Sequence, residues 1–482
     1  MTDPPASITY ASVVSRESVR IAFMLAALNG LEILGADAQN AYINSPPREH
    51  YWIWCGPEFG HHEGKRALIV RALYGMKSSG AAWRSYLADI LRDVLKFEMC
   101  KADNDVWFRK AIKPDGTKYY EYILVYTDDF LVLSTDPHAI LKTLQERVVL
   151  KADSIKEPDR YLGATVSKYY FEDGDWAWAM SSEQYVKEAI RNVKNWLTER
   201  DLYLKKRAPS VLPTGYRPEL DLSALCGDDE ISYFQEQIGV LRWAVELGRM
   251  DIANEVSMLA SYCAMPRVGH LNAVFHIYAY LNTHDRSKIV FDPSYIPHVD
   301  VEQPDWSDFY PEAKEELPPD MPEPRGEPVV TTTFEDSDHA SDVVTRRSRT
   351  GVLIYCNRAP VLAYSKKQNS IETSSFGSEF TALKTAVELT EGIRYKLRMM
   401  GVPVDGPAYV KGDNYSVIQN SSLPQSVLKK KSNSIAYHYV RERCAMDVCT
   451  VSWEPSESNV ADMLTKIQTG PARKRLAQMV LK

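Results

Sequence analysis

Tyr122-Ile-Leu-Val-Tyr-Thr-Asp-Asp-Phe-Leu-Val-Leu-Ser134 reads as strand, tight turn, strand. Ile123 to Tyr126 are apolar or β-favouring, and Phe130 to Leu133 are apolar again. Between them stand the adjacent acids Asp128 and Asp129. Two-residue hairpin turns often carry Asp or Asn, so a solvated tip is one reading. The other is that a rigid hairpin thrusts two carboxylates together. Like charges that close repel, and a divalent cation relieves the repulsion.

Outward from this hairpin the chain divides. It has 482 residues, 45% hydrophobic and 25% charged, the composition of a globular protein of about three domains. The sequence has no apolar run of the ~20 residues that would span a bilayer, and its start lacks a signal pattern. Seven scattered cysteines without CxxC spacing point to reduced thiols rather than zinc. Net charge is −7, which argues against a polyanionic partner until its distribution is read. Asp300 to Pro328 holds ten acids, two basic residues and seven prolines, a net −8 that leaves +1 elsewhere. That composition predicts an extended, self-repelling linker.

Ser15 is placed to cap a helix to about Leu28, stopped by Asn29-Gly30. Leu31 to Ala36 reads as a buried strand with Asp37 at its exit and Tyr42 five residues on. A helix is predicted from about Ala82 to Phe97, then a strand from Val106 to Ile112, a turn at Asp115-Gly116, and the strand that delivers Asp128 and Asp129. Each of these residues alone fits a turn acid or a core tyrosine.

In order, Asp37-Ala-Gln-Asn-Ala-Tyr-Ile-Asn, Ala72-Leu-Tyr-Gly-Met-Lys with Trp83, Tyr126-Thr-Asp-Asp129 and Arg160-Tyr-Leu-Gly resemble the reverse transcriptase of copia-type retrotransposons. Gln237-Ile-Gly-Val-Leu-Arg-Trp and Asp251-Ile-Ala resemble its thumb and connection. The resemblance implies an α+β fold. A palm with a ferredoxin-like antiparallel sheet would fill 1–150 with its fingers largely missing, and the end of the palm and a helical thumb/connection would fill 151–296. It implies that Asp37, Asp128 and Asp129 are catalytic and hold two Mg²⁺, with Mn²⁺ as a substitute, and that Tyr42 and Lys77 bind substrate.

After the linker, placed at 297–328, the region 329–482 gives a second set of acids. Val329 to Phe334 reads as a strand leading to Asp336 and Asp338. Gly351–Cys356 and Pro360–Tyr364 follow as strands, Gly377 to Arg398 as a helix with Glu379 on its first turn, and Ala408–Lys411 as a strand ending at Asp413. Cys449–Trp453 is another strand, and Asp462 begins a short helical stretch. Singly these are ordinary cap or surface acids. The motifs Glu335-Asp-Ser-Asp, Thr345-Arg-Arg-Ser-Arg-Thr-Gly, Ser374-Ser-Phe-Gly-Ser-Glu, Gly412-Asp-Asn and Val460-Ala-Asp-Met-Leu-Thr-Lys are similar to the copia-type ribonuclease H domain. The resemblance implies a ribonuclease H-like α/β domain with a mixed five-stranded sheet. Asp336, Glu379, Asp413 and Asp462 would be its catalytic, Mg²⁺-holding acids.

The implied partners are an RNA template, primer RNA, an RNA–DNA hybrid and deoxynucleoside triphosphates. Protease and integrase segments would be encoded upstream, and no membrane is involved. The implied location is cytoplasmic, in a virus-like particle, or nuclear, and not secreted. The family's basic fingers stretches, near "KWVFK" and "RYKARLVAKG", are expected before Ser15, where only fourteen residues stand. Two functions therefore stand open. One is a polymerase with ribonuclease H activity. The other is a truncated remnant that retains at most nuclease activity or nucleic-acid binding.

Overall fold

A computed structural model describes residues 11–298 and 303–482. The chain forms two compact units. The first comprises residues up to Pro158, with Pro322–Glu327 and Arg398–Val402; the second holds the remainder.

In the first unit Ser15 caps α1 (Arg16–Leu28) by accepting from the Ser18 amide. Asn29 caps the other end, Gly30 turns left-handed at φ 58°, and β1 (Glu32–Asp37) follows. A two-stranded hairpin comes next, β2 (Trp52–Trp54) with β3 (Arg66–Leu68), then α2 (Ser79–Asp89). The strands β4 (Glu98–Met99), β5 (Val106–Ile112), β6 (Lys118–Tyr126) and β7 (Asp129–Ser134) complete an antiparallel sheet of order β1-β7-β6-β5-β4. α3 (Pro137–Gln145) starts at the cap Asp136. Trp83 and Leu87 of α2 and Ile140 and Leu144 of α3 share a core with Ile123, Val125 and Val132 of the sheet. The Tyr122 hydroxyl donates to the Met400 carbonyl, which ties residues 398–402 to this unit.

The second unit opens on an antiparallel sheet of order β11-β10-β9-β8, from β8 (Arg160–Tyr161), β9 (Ala164–Tyr170), β10 (Trp176–Ser181) and β11 (Lys288–Val290). Between β10 and β11 run α4 (Glu183–Thr198), α5 (Asp228–Glu246), α6 (Ala253–Ala260) and α7 (Val268–Leu281). They share a core built on Ile190, Phe234, Leu241 and Ile277.

The same unit then carries β12 (Thr331–Asp338), β13 (Arg349–Cys356), β14 (Ala359–Lys367), α8 (Ser375–Met399), β15 (Ala408–Gly412), α9 (Tyr415–Ser422), α10 (Ser434–Ala445), β16 (Cys449–Trp453) and α11 (Gly470–Val480). The sheet order is β14-β13-β12-β15-β16. β14, β13 and β12 are antiparallel, whereas β15 joins β12 and β16 in parallel. This mixed five-stranded α/β arrangement is ribonuclease H-like, and the chain as a whole is α+β.

Residues 303–328 contain no helix or strand, as their prolines and acids lead one to expect. Yet Trp306 is buried, with the Arg441 guanidinium 4.9 Å from its ring. A single aromatic is enough to dock a segment whose average composition predicts none of it. Two acids of that stretch, Asp300 and Glu302, lie outside the described residues.

Candidate catalytic carboxylate clusters

In the first unit the hairpin turn falls one residue earlier than the acid pair. Tyr126 pairs with Asp129, so the two central turn residues are Thr127 and Asp128, and Asp129 opens β7. Thr127 takes a left-handed φ of 57°. A β-branched residue there is strained, in a position that a type II′ turn usually gives to glycine. Two bonds hold it. The Trp83 indole donates to the Thr127 carbonyl at 2.7 Å, and the Ala38 amide donates to the Asp128 carbonyl at 2.8 Å.

β1 pairs with β7 so that Asp37 stands directly opposite Asp129. Ninety-one residues separate Asp37 from Asp128, and the ladder removes that separation. Burial pushes the Asp129 carboxyl up to about 6, helped by Asp128 and then Asp37. Lys151 donates to Asp37 Oδ2 at 2.7 Å, while Asp37 Oδ1 is buried without a hydrogen-bond partner. Tyr42 lies on a short 3₁₀ turn (Ala41–Asn44), its ring 4.6 Å from that of Tyr74. Burial raises its phenol, with Tyr74 and then Asp128 adding to the effect. Lys77 is exposed, two residues before α2.

In the second unit three elements converge. Asp336 comes from β12, Glu379 from the fifth residue of α8, and Asp413 from the residue after β15. Their carboxylate oxygens lie within 4.8 Å of one another. Among the described residues no other trio of His, Cys, Asp or Glu approaches as closely. Asp336 is buried and held up to about 6 by that burial, against Lys466 and with Asp462. Glu379 is held well above the carboxylate range by burial and by Glu335, Asp336 and Asp413. Asp462 lies on a 3₁₀ turn (Val460–Leu464) and joins through Lys466, which pairs with both Asp462 and Asp336. Thr465 donates to Asp336, and Ser456 to Asp413 at 2.7 Å.

The motif reading did not single out Trp83, Lys151, Lys466 or Glu335 for these roles. Glu335 is the least expected. It is 1% exposed, its Oε2 has no partner, and Gly412 leaves the space that a Cβ there would take from it. A glycine immediately before Asp413 was the signal available. Both clusters offer hard carboxylate oxygens, with a buried, unpartnered one at Asp37 in the first and at the neighbouring Glu335 in the second, which suits Mg²⁺ or Mn²⁺ rather than a thiophilic metal.

Residues 6–193 match the family described as reverse transcriptase (RNA-dependent DNA polymerase). The likeness over nearly the whole chain is to retrotransposon Pol polyproteins. The chain is 22% identical over 463 residues to the Retrovirus-related Pol polyprotein from transposon RE1 of Arabidopsis thaliana, covering 95% of this chain and 28% of that protein. It is 22% identical over 474 residues to that from transposon TNT 1-94 of Nicotiana tabacum, covering 95% and 31%. This Pol-like chain therefore spans under a third of the length of these relatives. Among solved structures, LC11-RNase H1 in complex with RNA/DNA hybrid covers 30% of this chain and 98% of its own at 18% identity and a TM-score of 0.23. The foamy viral protease-reverse transcriptase in complex with double-stranded DNA covers 91% and 60% at 12% and 0.20.

Proposed function

We propose that the chain is an RNA-directed DNA polymerase with ribonuclease H activity on RNA–DNA hybrids. One observation carries the reading. Acids far apart along the backbone gather into two separate clusters, each within one compact unit. Buried like charges are costly unless a cation or a proton neutralises them. Asp37, Asp128 and Asp129 would hold Mg²⁺ in the first cluster. Asp336, Glu379, Asp413 and Asp462 would hold it in the second. The metal would supply charge stabilisation to a phosphoryl transfer in each.

The chain's own residues supply placement. Trp83 and Ala38 fix the turn that carries Asp128. Tyr42, beside that turn, would set its aromatic ring against the sugar of a deoxynucleoside triphosphate, and Lys77 would meet its phosphates. Lys466 and Thr465 orient Asp336. The polymer substrates are an RNA template with its primer RNA, and then the hybrid that copying produces. Such a nuclease recognises its hybrid through shape and 2′-hydroxyls.

Primer extension and hybrid cleavage by the purified chain with Mg²⁺ test the reading. Extension and cleavage together support it, and the absence of both sinks it. A nuclease-only reading is favoured by one contrast. Among the described residues only Asp336, Glu379 and Asp413 of the second unit bring one carboxylate oxygen each within 4.8 Å of the others, a convergence that the acids of the first unit do not reach. Cleavage without extension selects that reading.

A further inference from the structure

The hairpin β2–β3 presents an exposed aromatic face among the described residues. Its register sets Trp52 opposite Leu68 and Trp54 opposite Arg66. Directly opposed residues of an antiparallel pair share a face, so these four side chains form one surface. Trp52 is 56% exposed, Trp54 68% and Leu68 39%. The Arg66 guanidinium lies 5.1 Å from the Trp54 ring centroid. Scattered exposed apolar residues need no explanation, but two large rings side by side with a cation over one of them form a patch.

The hairpin is also anchored next to the first carboxylate cluster. The Ala72 amide donates to the Ser45 carbonyl at 3.0 Å, closing the loop at its base. Just outside that base, Tyr42 and Tyr74 lie ring to ring, and Tyr42 feels the charge of Asp128. Residues 46–77 carry five Lys or Arg against three acids, in a chain whose net charge is −7. Aromatic rings interleaved with cations recognise a polyanion whose units have flat faces. Backbone phosphates answer Lys65, Arg66 and Arg71, and bases answer the rings.

We infer that the Trp52–Trp54–Arg66–Leu68 face binds an unpaired single strand of nucleic acid by base stacking. Its identity as template not yet copied rests on the polymerase reading; the stacking itself does not.

The test uses the full chain and two fluorescent probes, a blunt duplex and the same duplex with a 5′ overhang of about ten nucleotides, within the range a stacking groove occupies. The wild-type chain should bind the overhang probe more tightly than the blunt one. W52A/W54A should lose about tenfold or more on the overhang probe, the loss expected when stacked rings are removed. Its blunt-duplex affinity and thermal midpoint should stay unchanged. R66Q, which leaves both rings in place, should lose a few-fold on the overhang probe alone. Equal affinity of wild type for the two probes overturns the inference, as does wild-type overhang affinity in W52A/W54A. So does a wild-type dimer that the double variant dissolves without a change in overhang binding. Overhang binding that depends on both rings, with no primer extension, upholds the inference and sinks the polymerase reading instead.

Discussion

The two carboxylate clusters bring similar groups together by different construction. In the first unit a single ladder does the work: β1 beside β7 puts Asp37 opposite Asp129, and the turn between β6 and β7 holds Asp128. The site is half-open, and its acids are steadied through backbone carbonyls by Trp83 and Ala38. In the second unit a strand, a helix and a strand end each contribute one acid, and two of the three are buried. A ladder fixes acids cheaply but leaves them wet. Convergence of three elements excludes water, and the repulsion then has to be met by protons, Lys466 or a cation.

The sharpest way to break the comparison is to remove one acid from each cluster. Asp413→Asn should cut hybrid cleavage by about 10³-fold or more and leave primer extension intact, and Asp129→Asn should do the reverse, because placing charge at the phosphate is most of such catalysis. Parallel assays of both activities on both variants check this. Loss of both activities from either single variant would show that the clusters do not work separately.

Next in size is the indole anchor. Trp83→Phe keeps the packing but leaves the Thr127 carbonyl without its donor, at a cost of about 1–3 kcal/mol. Denaturant unfolding should register that loss, and extension should slow while cleavage does not.

The pH response of the half-open site follows from Asp129. Its carboxyl sits at about 6 when folded against an ordinary 3.8, so the folded chain holds the proton longer. Stability of the metal-free protein should therefore fall as pH rises from about 4 to 6. Because the group is partly exposed, the effect is about 1 kcal/mol. Asp129→Asn should flatten this slope in thermal melts, and Mg²⁺ should raise the wild-type midpoint most above pH 6.

The smallest effect belongs to Lys151. Its pair with Asp37 is half exposed, so Lys151→Ala should change stability by less than about 0.5 kcal/mol.

Much of this architecture was readable in the residues. Ser15 and Asn29-Gly30 bound α1, and short β-favouring runs mark β6, β7 and β12–β14, because caps and apolar runs are local signals. Where sequence reading slips, distance along the chain is the cause. The turn includes Thr127 rather than both acids, because its placement depends on the Tyr126–Asp129 pairing. α2 begins at Ser79, three residues before the expected Ala82, and gives way to a π turn at Ile90–Val94 instead of running as one helix to Phe97. Lys151 and Lys466 are unremarkable as letters and gain meaning only from the acids they meet. Glu335 was hidden because a buried acid beside a motif acid looks like its neighbour's spacing, and the space it needs comes from Gly412, seventy-seven residues on.

The central claim is that both acid clusters hold divalent cations. Anomalous diffraction from crystals soaked in Mn²⁺ tests it most directly. The account predicts peaks among Asp336, Glu379 and Asp413 and between Asp37 and Asp129. Peaks at neither place, with Lys466 and Lys151 still seated on the acids, would contradict it.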